Sequence, residues 1–161
     1  MLASQVADCS GRRGEPTSFR EGEEHAEAAA AYQTFMAKYP DSRFYKDALY
    51  NAALQTFKAG KALDANHLFE QYIQRYPTDP RSSDLFFQIA GNYSQILELD
   101  RAIQYYETLV RNFPDYKDAP TALYNASFLR VGIGDHTGAA KGFERYATDY
   151  EGQPDAEDVF W

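Results

Sequence analysis

The chain has 161 residues, with 24 Asp plus Glu against 16 Lys plus Arg, a net charge of -8, and a single Cys. A lone cysteine excludes a disulfide framework, no apolar run approaches the roughly 20 residues that span a bilayer, and scattered cations under an acidic excess exclude a nucleic-acid binder. The length fits a soluble globular domain, and the 13 Tyr and 11 Phe need a structural reason before they are read as a binding surface.

Residues 1–20, with Gly11-Arg12-Arg13-Gly14 and Glu15-Pro16-Thr17-Ser18, read as a disordered segment. Cys9 follows Val6-Ala7-Asp8, where Asp8 replaces the small residue that a lipid-attachment site needs, so the cysteine reads as incidental. From residue 21 onward the chain repeats. Tyr39-Pro40 recurs as Tyr76-Pro77, as Phe113-Pro114 and, without the proline, as Tyr150-Glu151, each step being 37 residues.

Upstream of each mark lies the same apolar ladder. It reads Ala28, Tyr32, Phe35, Met36, Tyr39, then Ala65, Phe69, Tyr72, Ile73, Tyr76. The third and fourth copies are Ala102, Tyr106, Leu109, Val110, Phe113 and Ala139, Phe143, Tyr146, Ala147, Tyr150. The spacing i, i+4, i+7, i+8, i+11 places all five side chains on one helical face. The following proline ends the helix.

A second helix precedes three of the four ladders, over Asp47 to Ala59, Asp84 to Ile96 and Pro120 to Ile133. Gly60 and Gly134 supply left-handed helix ends, and the middle copy, with Leu97, must manage without glycine. Each unit is therefore an antiparallel helix pair whose apolar face is covered only by stacking on the next. The expected fold class is all-α, an α-solenoid with an unpaired second helix over 22–39, repeats over about 46–76, 83–113 and 120–150, and a partial helix over 155–161. The end on Phe160-Trp161 suggests a stretch of a longer array.

Ala48-Leu49-Tyr50-Asn51-Ala52-Ala53, the Gly60-Lys61 turn, Ala65 with Phe69 four residues on, and Pro77 together resemble a tetratricopeptide repeat. The long Tyr-Pro-Asp-Ser linker is similar to repeats of bacterial cell-envelope proteins, such as the lipoprotein of the outer-membrane assembly machinery and the periplasmic Tol–Pal coordinator. Leu97, Arg130 and Glu151 depart from the repeat, where Gly, Tyr and Pro are expected, and put the packing of the last unit in question.

In that family the first helix of each pair lines an inner groove. The resemblance places Asp47, Tyr50, Asn51, Leu54 and Phe57 there from the first pair. The second contributes Asp84, Phe87, Gln88, Gly91 and Ser94, and the last Thr121, Tyr124, Asn125, Phe128 and Val131. Tyr50, Phe87 and Tyr124 would form an aromatic row beside an amide row of Asn51, Gln88 and Asn125. Amides bind an extended peptide backbone in both senses, and aromatic faces grip its side chains. The alternative is that the aromatic row packs between adjacent first helices. The groove lacks the Lys and Arg with which one chaperone-binding subfamily holds a terminal carboxylate.

Nothing in the sequence asks for catalysis, a metal or a cofactor: His25, His67 and His136 stand in no ligand motif, and no glycine-rich phosphate loop follows a strand. The acids Glu21, Glu23, Glu24 and Glu27 beside His25 read as complements to the dipole of a helix starting near Gly22. The expected function is a non-catalytic scaffold that binds a peptide or partner helix, in a bacterial envelope or periplasm if the resemblance holds, with the cytoplasm as the alternative. Two rivals are end-to-end self-association through exposed array ends and service as the docking arm of a larger enzyme.

Overall fold

The computed structural model describes residues 17–152, which form seven α-helices and no strand among the described residues. The chain divides into two compact units at Lys61 and Ala62. The expected partial helix over 155–161 and Cys9 lie outside the described residues.

The first unit holds α1 (Thr17–Lys38) and α2 (Tyr45–Lys58). Helix α1 starts five residues before the expected Gly22, because nothing between Pro16 and Gly22 breaks a helix, so residues 17–20 of the segment read as disordered are helical. The earlier start corrects the dipole reading of the acids, since no acidic residue lies in the first turn. His25 is used structurally, its Nδ1 standing 2.6 Å from the Gln55 side-chain oxygen of α2. The two helices bury Ala29 and Met36 against Ala48, Leu49, Ala52 and Ala53. On the α1 ladder Tyr32 and Phe35 are half-buried and Tyr39 is 47% exposed.

The second unit holds α3 (Ala62–Arg75), α4 (Arg81–Gln95), α5 (Leu99–Asn112), α6 (Ala119–Gly132) and α7 (His136–Asp149), each packed on the next in chain order. The α3 and α5 ladders form its core: Ala65, Phe69, Tyr72, Ala102, Tyr106, Leu109 and Val110 are all buried. Removing the Phe69 ring, which is completely buried, should cost about 3 kcal/mol or more through the cavity left behind. Aromatic i, i+4 pairs recur in the 37-residue register, as Phe35–Tyr39 at 5.3 Å, Tyr72–Tyr76 at 5.2 Å and Tyr146–Tyr150 at 5.9 Å between centroids. The fourth ladder helix ends at Asp149, in register with Lys38, Arg75 and Asn112, although no proline follows Tyr150. Helix termination in this fold thus rests on packing and linker geometry as well as on proline.

Helices α2, α4 and α6 end in the same double-bonded motif. The N–H groups of Gly60, Leu97 and Gly134 reach carbonyls three residues back, and those of Lys61, Glu98 and Asp135 reach carbonyls five residues back. This closure needs a left-handed residue, and the three φ angles are +78° at Gly60, +62° at Leu97 and +80° at Gly134. Leu97 adopts the geometry without glycine's freedom, at a cost of roughly 1–2 kcal/mol.

Candidate functional site

The structure places the groove positions on α2, α4 and α6. On α2, Tyr50, Asn51, Leu54 and Phe57 are half-buried and Asp47 is exposed. Asp47 and Asn51 line an apolar cleft of about 440 Å³ whose walls come from Tyr32 and Phe35 of α1 and from Phe44, which is 52% exposed. The Arg43 guanidinium lies 4.6 Å from the Phe44 ring centre. Sequence reasoning placed the α1 aromatics on the ladder of an unpaired helix, whose terminal face the end-to-end alternative counted as exposed, and passed over Phe44.

In the second unit the rings of the aromatic row meet the ladder of the next helix. Phe87 stands edge-on to Tyr106 at 5.5 Å, and Tyr124 stands edge-on to Phe143 at 5.5 Å and Tyr146 at 5.7 Å. Packing is therefore realised for these two residues, within each helix pair and not between adjacent first helices as the alternative had it. Both remain half-buried. The amide row is also tied in. Gln88 donates to Asn92 at 3.2 Å, and Asn92 donates to Asn66 of α3 at 2.7 Å, forming a chain whose last two members are fully buried.

Tyr106 links the two first helices. A side chain at Gly91 of α4 would come within 3.9 Å of its hydroxyl, and Asn125 of α6 hydrogen-bonds the same group. Burial pushes the Tyr106 phenol pKa up, and the Asn125 bond partly opposes that. A residue read from the sequence as pure core thus supplies the polar floor between groove positions.

The most exposed large apolar groove positions are on α6: Phe128 is 61% exposed and Val131 is 43% exposed. Val131 also lines a cleft of about 680 Å³ with Phe143, Ala139 and His136 of α7. Asp84 and Thr121 are exposed at the helix starts, and Asp84 accepts a 2.6 Å hydrogen bond from Tyr116 of the linker after α5. Burial and the neighbouring Asp84 and Asp118 carboxylates push the Tyr116 phenol well above its ordinary range.

The departure at Arg130 also finds its place. Arg130, where tyrosine was expected, donates to Glu107 at 2.6 and 3.0 Å and pairs with Asp135. Asp135 also caps α7 by accepting from the Gly138 N–H at 2.9 Å. That bond and the Arg130 pair hold the Asp135 carboxyl below the usual carboxylate range. Among the described residues no group of three His, Cys, Asp or Glu side chains is placed to hold a metal, and no helix is long and apolar enough to cross a membrane.

The sequence pattern of the tetratricopeptide repeat matches residues 17–42, 47–79 and 84–116. The chain is 24% identical over 166 aligned positions to the outer membrane protein assembly factor BamD of Pasteurella multocida, an alignment covering 84% of this chain and 64% of that protein. The chain thus spans under two thirds of that relative's length. Its fold is similar to a tetratricopeptide repeat protein from Parabacteroides merdae, with TM-score 0.64, 18% identity, and 89% and 58% of the two chains covered. It is similar also to PcrH solved in complex with the chaperone binding region of PopB, with TM-score 0.53, 21% identity, and 73% and 90% covered. MamA shares the fold at TM-score 0.58 and 15% identity, with 91% and 90% covered. The matched repeats, the helix pairs and the 37-residue register together make this chain a member of the tetratricopeptide repeat family.

Proposed function

We propose that this chain is a non-catalytic scaffold that binds an extended peptide or partner helix on its first-helix faces, as part of a bacterial envelope assembly. The observation that carries the reading is the exposure of Phe128 and Val131 on α6, at groove positions beside the half-buried Tyr124 and Asn125. Large apolar side chains held in the open on a rigid helix, beside a half-buried amide, are the composition of a peptide-binding hot spot. Asn125, already bonded to Tyr106 through its amide, keeps its carbonyl oxygen and a second N–H for a passing backbone, and Phe128 offers a flat apolar surface to its side chains. On α2 the cleft walled by Tyr32, Phe35 and Phe44 suits one bulky apolar anchor residue of a bound segment. Likeness to an outer membrane protein assembly factor supports the envelope setting, and the fold neighbour solved with a segment of PopB supports a fold that accepts protein segments.

The test is selection of binders from a random peptide library on the immobilised chain, followed by affinity measurement on variants. Phe128→Ala and Val131→Ala remove exposed side chains, so thermal unfolding should move little while peptide affinity falls by about tenfold or more. Selected peptides that bind both variants as tightly as the parent would reject the α6 face.

A further inference from the structure

A second surface lies on another face of α6, toward the second helices. A cleft of about 500 Å³ opens between α5, α6 and α7, with Val110, Leu123 and Pro114 as apolar wall and Arg111, Lys141 and Arg145 among the residues around it. The internal repeat supplies its control. One repeat earlier, Tyr105 stacks on Tyr93 at 5.7 Å and 20°, and both hydroxyls donate to Glu70, at 2.7 and 3.1 Å. Thirty-seven residues on, Glu107 is retained, but Tyr93 becomes Arg130 and Tyr105 becomes Gly142. The two rings packed together in the earlier repeat have no counterpart in the later one. Gly142 carries no side chain because Ser127 comes too close, a Cβ there lying 2.1 Å from its Oγ. Gly138 leaves room in the same way for the Arg130 and Asp135 side chains. The opening is thus set by α6–α7 packing.

Its charges are unequally satisfied. Arg130 is shared by two carboxylates, Glu107 and Asp135, a triad that keeps one negative charge, and Arg145 pairs with Asp149 at 2.9 Å. Arg111 and Lys141 are exposed and have no ionic or hydrogen-bonding partner among the described residues. The positions equivalent to them one repeat earlier are the neutral Gln74 and Gln104. In a chain of net charge -8, two unpaired cations beside an apolar wall favour a short acidic segment. They disfavour nucleic acid, whose long polyanion would meet the surrounding acids. At physiological ionic strength those acids are screened beyond about 8 Å, so contact pairs with Arg111 and Lys141 govern a short ligand.

The geometry points to the α5–α7 cleft as a docking site for an acidic peptide segment of a partner protein, with carboxylates on Arg111 and Lys141 and an apolar side chain against Val110, Leu123 and Pro114. It is separate from the groove and stands whether or not the groove binds.

The test uses fluorescence anisotropy of a short dye-labelled peptide alternating glutamate with leucine, alongside the same peptide with lysine for glutamate. The double variant Arg111→Glu/Lys141→Glu touches no internal pair and should keep its helix content. It should weaken the acidic peptide by about tenfold or more, with the control Lys58→Glu on α2 within about twofold of the parent. The lysine peptide should not bind. Absence of acidic-peptide binding at millimolar concentration, equal loss in the control, or equal binding of the lysine peptide would overturn the proposal. So would inorganic tripolyphosphate displacing the peptide at equal concentration, which would mark a site for phosphate and not for a peptide.

Discussion

Around Glu70, where α4 gives way to α5, the space is held by rings, and around Glu107, where α6 gives way to α7, it is held by charges. Glu70 and Glu107 occupy the same place in the repeat and each is satisfied by the end of the following first helix. Glu70 receives two tyrosine hydroxyls, with Arg101 lying 5.2 Å over the Tyr93 ring. Burial, then the Glu70 hydrogen bond, pushes the Tyr105 phenol above its ordinary range. Glu107 receives a guanidinium that also holds the turn carboxylate Asp135. One carboxylate thus anchors two chemistries. The aromatic version fills its volume, whereas the ionic version, made around two glycines, leaves a cleft.

The same contrast orders the effects of mutation. Tyr106, 4% exposed, is a core rung in the filled repeat, while its equivalent Phe143 is half-buried. Tyr106→Ala should cost about 3–5 kcal/mol, and Phe143→Ala about half that, in urea denaturation. Equal costs would show that α7 is as tightly packed as α5. Gly142→Ala should cost about 1–3 kcal/mol by forcing α7 away from Ser127. Adding Ser127→Ala should recover part of the loss, and failure to recover any would reject the close approach as its cause.

The helix ends give a smaller effect of either sign. Leu97→Gly should raise stability by about 1 kcal/mol by relieving the left-handed leucine, and Gly134→Ala should lower it by a similar amount. A destabilising Leu97→Gly would mean that the exposed leucine side chain makes contacts that outweigh its backbone.

The smallest effect is on acid stability. The Asp135 carboxyl is held low first by the Gly138 N–H and then by Arg130. The unfolded chain therefore takes up this proton at higher pH than the folded one. The stabilisation is complete above the ordinary carboxylate value near pH 4 and is lost as pH falls through the lower folded value. Asp135→Asn should narrow the difference in urea midpoint between pH 7 and pH 3, and an unchanged difference would remove Asp135 from the acid response.

Most of the fold was legible because a repeat states its rule several times. Ladder spacing, turn glycines and register put the helices from α2 to α7 within a few residues of their observed bounds. The start of α1 was missed because Thr17 to Glu21 carries no ladder rung, and a helix of mostly polar residues has no periodic signature. The α6–α7 region was flagged by Arg130 standing where tyrosine was expected, but its partners lay 23 residues back and five ahead, distances that only the packed helices bring together. Family register put the expected groove positions on α2, α4 and α6. Exposure then separated Phe128 and Val131 from Phe87 and Tyr124, whose rings lean on ladder residues of the next helix; spacing along one helix carries no information about that.

The central claim, that the first-helix face binds a protein segment, is tested most directly by titrating a library-selected peptide into the isotope-labelled chain and following backbone amide resonances. The account predicts the largest shifts at Asn125, Phe128 and Val131 of α6, with Gln88 and Gly91 of α4 responding next. Shifts confined to the second helices α5 and α7, with α6 groove positions unmoved, would contradict it.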